Sequence, residues 1–167
     1  MTGAATAQIG PDGLLRFQGG IYRCAIGKGG IRTDKREGDG ATPTGLLPLR
    51  RLLYRADRLA PPRAAVSAAP IAPDDGWCDD PGHAACNTQI RLPHPARHEE
   101  LWRADAIYDL IGVLGWNDMP VVRGRGSAIF LHLARPGFTP TEGCIALEQR
   151  DLLRVLADGL SAIEVLA

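Results

Sequence analysis

Glycine and proline break the apolar stretches of this chain into short pieces, and no other feature limits its fold so strongly. The two residues occupy 20 and 13 of 167 positions, about a fifth of the chain against roughly an eighth in average usage. Proline fixes φ and lacks a backbone donor, glycine opens positive φ, and the few apolar residues between them read as strands joined by turns. The expected architecture is therefore mainly β, with long loops and one or two short helices. A chain of this length buries roughly 70% of the surface of its unfolded form, so one core suffices. Residues 1–167 read as a single domain, with 1–18 its least specific segment.

Gly19 to Gly27 reads as a strand, and Gly45 to Tyr54 as another, in which Pro48 marks an edge or a bulge. The polar loop between them ends in Thr42-Pro43-Thr44-Gly45, which is turn chemistry, so a hairpin connection is one reading of it. Residues 60–92, rich in Pro, Ala and Asp, are expected to form a long loop or insertion over the site. Pro95 to Ala104 is expected to be a short helix packing Leu101 and Trp102 inward, followed by a central strand from Ala106 to Gly115. Gln149 to Asp158 carries Leu152, Val155 and Leu156 at helical spacing and stops at Gly159, leaving Ala162 to Leu166 as a closing strand.

Charge narrows the choice of partners. Nineteen basic residues balance nineteen acidic ones, and without a basic block there is no electrostatic case for nucleic acid or an anionic membrane surface. The expected partner is small or neutral. No run of apolar residues is long enough to insert into a membrane. The first ten residues lack the basic and apolar regions of an export signal. That reads as a cytoplasmic protein, or a periplasmic one if a leader is missing. Cys24, Cys78, Cys86 and Cys144 read as thiols.

The chemistry concentrates between Phe130 and Leu147. His132 ends the apolar run Ala128 to Leu131, which reads as a buried strand, and Cys144 opens a second, Ile145 to Leu147, after a Pro/Gly-rich crossing. A cysteine attacks as thiolate, and imidazole is its usual base, so His132 is the candidate partner of Cys144. Gly143 allows close approach of the backbone, and the N–H groups of Gly143 and Cys144 are candidate donors to the oxyanion of an acyl-transfer intermediate. An activated Cys144 should react with iodoacetamide well below pH 8.

A competing constellation is metal-binding. Cys78, His83, Cys86, His94 and His98 offer five potential zinc ligands, although their spacing is not that of close Cys pairs. Trp77, Trp102 and Trp116 read as anchors, with Trp116-Asn117-Asp118 at a strand end where Asn117 could border the cleft.

His132, a loop, and Thr141-Glu142-Gly143-Cys144-Ile145 resemble the signature of the L,D-transpeptidase catalytic-domain family: His-Gly, a loop, then Ser/Thr-x-Gly-Cys-Ile/Val-Arg. Upstream, Lys35-Arg-Glu-Gly-Asp39-Gly-Ala-Thr-Pro-Thr-Gly45 is similar to its Lys-x-Glu-Gly-Asp-x-x-Thr-Pro-x-Gly segment, and the likeness spans roughly residues 20–167. Leu133 replaces the Gly after the histidine, Glu142 stands where many members have His, and Ala146 replaces the Arg after Cys-Ile. Arg123, Arg125 and Arg135 are the candidates to supply the missing charge.

The resemblance implies a β-sandwich enzyme acting on peptidoglycan stem peptides, or on the soluble muropeptides derived from them, without metal or organic cofactor. Cys144 would attack the carbonyl of the third stem residue, and His132 would take the thiol proton and return it to departing D-alanine. Gly143 would shape the oxyanion site, while Thr141, Glu142, Asn117 and Arg125 would face substrate. An amine resolving the thioester gives a 3-3 cross-link or D-amino acid exchange. Water gives L,D-carboxypeptidase activity, the fate expected of a cytoplasmic chain. A non-catalytic wall-peptide or zinc-binding module on the same fold is the alternative.

Overall fold

The computed structural model describes residues 5–167, and the start of the expected N-terminal segment, residues 1–4, lies outside them. In chain order the strands are β1 (Ala5–Ile9), β2 (Leu14–Phe17), β3 (Gly20–Ala25), β4 (Ile31–Arg32), β5 (Thr42–Pro43), β6 (Gly45–Tyr54) and β7 (Ala68–Pro70). They continue with β8 (Asp75–Cys78), β9 (Gln89–Arg91), β10 (His98–Glu100), β11 (Leu110–Leu114), β12 (Phe130–Leu133), β13 (Ile145–Leu147) and β14 (Leu160–Val165). One α-helix, α1 (Gln149–Ala157), and a 3-10 turn at Pro136–Phe138 complete the fold, which is mainly β as expected.

Nine strands form one sheet in the order β11-β12-β13-β3-β2-β1-β14-β6-β7, and an additional β11–β6 pairing closes it on itself. Two strands make the corners. The first residues of β6, Gly45 to Pro48, pair with β14, while Leu49 to Tyr54 pair with β11. Likewise Gly20 to Arg23 of β3 pair with β2, whereas Cys24 and Ala25 pair with β13. The result is two layers sharing β3 and β6, with side chains of both inner faces meeting in one core. Pro48 lies on a central strand, not an edge, immediately before the register shift between Val113 and Leu114 of β11. Its missing donor is harmless there, and its carbonyl accepts the Gly115 N–H at 2.7 Å.

Helix α1 forms where expected because Leu152, Val155 and Leu156 share one face, all three fully buried. Truncating any of them to Ala should cost about 2–4 kcal/mol through lost burial and the cavity left behind. Gly159 follows with φ +94°, a left-handed stop that a side chain would strain.

Residues 60–104 depart from expectation. The segment read as a loop contains β7, β8 and β9, and the stretch read as a helix contains strand β10, joined in a three-stranded sheet of order β10-β8-β9. His98, Glu99 and Glu100 pair with Cys78, Trp77 and Gly76. Local propensity favours a helix at Glu99-Glu100, but burial of Trp77 and Leu101 beneath the small sheet overrides it. The upstream block is not a hairpin either, since β4 and β5 pair in parallel. The expected central strand contracts to Leu110–Leu114.

Candidate active site

Strands β12 and β13 are parallel neighbours, with Leu131 opposite Ile145, His132 opposite Ala146 and Leu133 opposite Leu147. Successive side chains alternate across a strand. Leu131, Leu133, Ile145 and Leu147 consequently enter the main core. Phe130 and Cys144 pack on the opposite face in a second cluster with Trp77, Leu101 and Tyr108. His132, Cys144 and Ala146 open from that face onto one cleft of about 690 Å³. Parallel pairing thus brings a histidine from one strand and a cysteine from the start of the next to the floor of the same cavity.

The thiol is buried, 7% exposed. Phe130 N–H donates to its Sγ at 3.4 Å, and the thiol itself donates to the Ala128 carbonyl at 3.2 Å. Burial pushes its pKa up to about 12, so at rest Cys144 is a thiol and not a thiolate. The expectation of ready alkylation below pH 8 therefore does not fit the resting site. The Lys35 ammonium acts in the opposite direction but is outweighed by the desolvation. His132, 5% exposed, is also neutral, its pKa lowered to about 4 by burial. Its Nδ1 lies 2.9 Å from the Leu133 carbonyl. A carbonyl oxygen can only accept, so Nδ1 carries the proton and Nε2 is left as the base. Leu133 in place of glycine leaves this bond intact, because the backbone makes it.

The loop before Cys144 is tied from both sides. Thr141 Oγ1 donates to the Cys144 carbonyl at 2.6 Å and accepts the Gly143 N–H at 3.1 Å. The Gly143 N–H, expected to face an oxyanion, is thus engaged, and the Cys144 N–H is the remaining candidate of the pair. Gly143 has φ +132°, and a Cβ there would meet the Ala41 carbonyl at 2.8 Å, so only glycine fits. The upstream block supplies the other side. Thr42 Oγ1 accepts the Gly27 N–H and donates to the Gly143 carbonyl, both at 2.9 Å. Asp39 organises the turn around it, accepting from Lys35 Nζ at 2.5 Å and from the N–H groups of Arg36 and Ala41.

Residues that the sequence did not single out complete the site. Asn87, from the segment read as a loop, accepts Ala128 N–H at 3.0 Å and Trp77 Nε1–H at 3.1 Å, while its Nδ2 donates to the carbonyls of Trp116 and Asn117. It holds Ala128 at φ +53°, a strained conformation for a residue with a Cβ, and so aims that carbonyl at the thiol. Tyr108 packs edge-on against His132, ring centroids 5.4 Å apart, and donates to Glu99 Oε2 at 2.7 Å. Lys35, Arg97, Arg103 and Arg135 bring positive charge to the cleft wall, against Glu37, Asp79, Glu99 and Glu142.

Of the expected substrate-facing residues, Thr141 and Glu142 line the cleft and Asn117 and Arg125 do not. Glu142 is exposed and pairs with Lys28 at 2.9 Å. Asn117 bonds the backbone of Val122 and Gly126, closing a surface loop, and Arg125 borders a separate groove. Among the arginines considered as replacements at Ala146, Arg135 reaches the cleft. The zinc alternative finds no such arrangement: among the described residues no three or more His, Cys, Asp or Glu side chains converge to hold a metal ion. His83 and His94 stack edge-on with centroids 5.0 Å apart, and each Nδ1 accepts a backbone N–H two residues on. All four cysteines are buried free thiols.

No curated protein and no solved structure matches this chain. The family model of the L,D-transpeptidase catalytic domain, YkuD, matches residues 12–158, a span that takes in both sequence blocks, the cleft and every strand except β1 and β14. By that match and by the β-rich fold around the cleft, the chain belongs to the L,D-transpeptidase catalytic-domain family.

Proposed function

We propose that this protein is a cysteine-dependent acyl-transfer enzyme that cleaves the L,D bond before D-alanine in peptidoglycan tetrapeptide stems, with water as the preferred acceptor. The observation that carries the reading is the convergence of Cys144 and His132 from adjacent parallel strands on one polar cleft, in a chain of this family.

Both groups are neutral at rest, so the route is general-base catalysis rather than a preformed ion pair. Substrate entering the cleft displaces solvent, Sγ attacks the carbonyl carbon of the third stem residue, and the thiol proton passes to His132 Nε2. The imidazolium, steadied by the Nδ1–H bond to Leu133 O, then protonates the departing amine of D-alanine. The Cys144 N–H is the backbone donor we assign to the oxyanion. The acyl group stays on sulfur as a thioester until water, deprotonated by the same imidazole, releases a tripeptide.

The cleft volume, about 690 Å³, suits a short peptide. Four free thiols suit a reducing compartment, and we propose the cytoplasm, with soluble muropeptides as substrate. The test is to incubate the protein with a disaccharide tetrapeptide and weigh both peptide and protein. Loss of D-alanine together with a protein adduct confined to Cys144 supports the reading, and intact peptide with unmodified protein overturns it.

A further inference from the structure

Ten arginines of this chain reach a carboxylate at ion-pair distance. Arg36, Arg123 and Arg125 do not, and among the described residues their guanidinium groups take part in no hydrogen bond either. All three are exposed, and they line one groove of about 540 Å³, separate from the cleft that holds Cys144. Asp34 and the half-buried Trp116 line it too. Lys35 borders the same groove, but its ammonium is spent on Asp39. Three guanidinium groups against the one carboxylate of Asp34 leave a local positive excess in a chain whose formal net charge is zero. Like charges gathered in that way repel one another, and an anion among them removes the repulsion.

The groove is built rather than incidental. One wall is the segment 33–36 and the other the segment 122–125, and the Glu37 N–H donates to the Gly124 carbonyl at 2.9 Å, tying the two together. Asn117 fixes the second wall, its Nδ2 donating to the carbonyls of Val122 and Gly126 while its Oδ1 accepts the Val122 N–H. Trp116 Nε1–H donates to the Arg125 carbonyl at 3.0 Å, so the indole is held in place. The backbone carrying the three arginines is thus set before any ligand arrives, which lowers the cost of binding. The volume falls within the usual span of small-molecule sites, roughly 300–1,000 Å³.

We propose that this groove is a binding site for a small diphosphate-bearing molecule, whose phosphate oxygens are taken by Arg36, Arg123 and Arg125 and whose remaining part lies along Trp116. Guanidinium presents forked donors that match phosphate oxygens two at a time, and arginines on both walls suit two linked phosphates better than one. The indole adds an apolar, aromatic surface beside them. A concave site of this size fits a soluble ligand rather than a flat anionic surface. The inference is independent of the acyl-transfer reading of Cys144, since no residue of the groove touches that cysteine or His132.

The experiment titrates the whole protein with inorganic pyrophosphate by calorimetry at low ionic strength, with orthophosphate and a nucleoside diphosphate as further probes. Wild type should bind one pyrophosphate saturably and orthophosphate more weakly, and the nucleoside diphosphate should bind at least as well as pyrophosphate. R123Q/R125Q should weaken pyrophosphate binding at least about tenfold, the scale of one lost charge-assisted hydrogen bond. D34N should tighten it. Arg63 is also exposed and outside any ion pair, but it does not line the groove, so R63Q removes the same charge elsewhere and should leave binding unchanged. Should R123Q/R125Q fold poorly, R36Q tests the opposite wall. C144A should bind as wild type does, so the result stands or falls apart from turnover. No saturable binding, or equal weakening by R63Q and R123Q/R125Q, overturns the site. Capture of the protein by phosphatidylglycerol vesicles without binding of pyrophosphate would make this face a membrane contact and overturn it as well.

Discussion

Thr42 Oγ1 donates to the carbonyl of Gly143 at 2.9 Å, joining residues 101 positions apart. That single hydroxyl also accepts the Gly27 N–H, so it fixes the loop that presents Cys144 against the end of β3. It accounts physically for why the Thr-Pro block and the Gly-Cys block occur together: one is the clamp of the other. Thr42→Val keeps the shape and removes both bonds, stranding a buried donor and a buried acceptor. Unfolding in urea should show a loss of about 1–3 kcal/mol, with acylation slowed, and Thr42→Ser should recover most of both. A Val variant as stable and as active as wild type would show that Thr42 is not the clamp.

Cys144 and Cys24 make an internal comparison, because burial pushes both thiols up to about 12. Cys24 packs in the main core, whereas Cys144 lines the cleft. Cys144→Ala should abolish both turnover and the thioester adduct, and Cys24→Ala should leave them largely intact. Cys144→Ser should be nearly inactive, since an alkoxide forms far less readily than a thiolate. Intact-protein mass after exposure to substrate distinguishes these, and an adduct persisting in Cys144→Ala would remove the cysteine from the mechanism. Alkylation of the free enzyme by iodoacetamide should be slow at pH 7 and quicken at alkaline pH.

His132 ties the site to pH. Its folded pKa, about 4, lies below the ordinary 6.5. Between those values the unfolded chain binds a proton that the folded chain refuses, so the stability contributed by the neutral imidazole is present above pH 6.5 and is lost as pH falls toward 4. The full loss is roughly 3 kcal/mol. His132→Ala should flatten this part of the stability profile and lower the acylation rate by about 10²- to 10⁴-fold. An unchanged profile between pH 4 and 6.5 would mean that the imidazole is more solvated than its position in β12 indicates.

The sequence made visible what depends on local chemistry. His132 and Cys144 sit at the ends of short apolar runs whose alternation dictates which face they share, and α1 carries its own periodicity and stop. Residues 60–104 were opaque because β8, β9 and β10 are three or four residues long and owe their pairing to Trp77 and Leu101 beneath them. Asn87 and Glu99 were hidden for the same reason. Each acts through a contact with a distant residue, Ala128 and Tyr108 respectively, that no local pattern announces. Asn117 and Arg125 were misplaced by proximity in sequence, since the chain turns away after β11 and spends them on a surface loop and groove.

Under the proposed reaction, access decides which acceptor should resolve the thioester. Cys144 and His132 lie at 7% and 5% exposure on the floor of a cleft walled on one side by β10 and Arg97 to Arg103 and on the other by Arg135 to Glu142. Once a stem occupies that cleft, a second peptide amine must enter past the first to reach the acyl carbon, whereas water needs only a gap its own size. Hydrolysis should therefore exceed aminolysis, yielding tripeptide and free D-alanine. The measurement supplies tetrapeptide with excess D-amino acid, and separately with a second stem, and weighs the products. If exchanged or 3-3 linked peptides outnumber tripeptide, the cleft opens wider in the acyl-enzyme than in the resting protein, and the enzyme is a transpeptidase in practice.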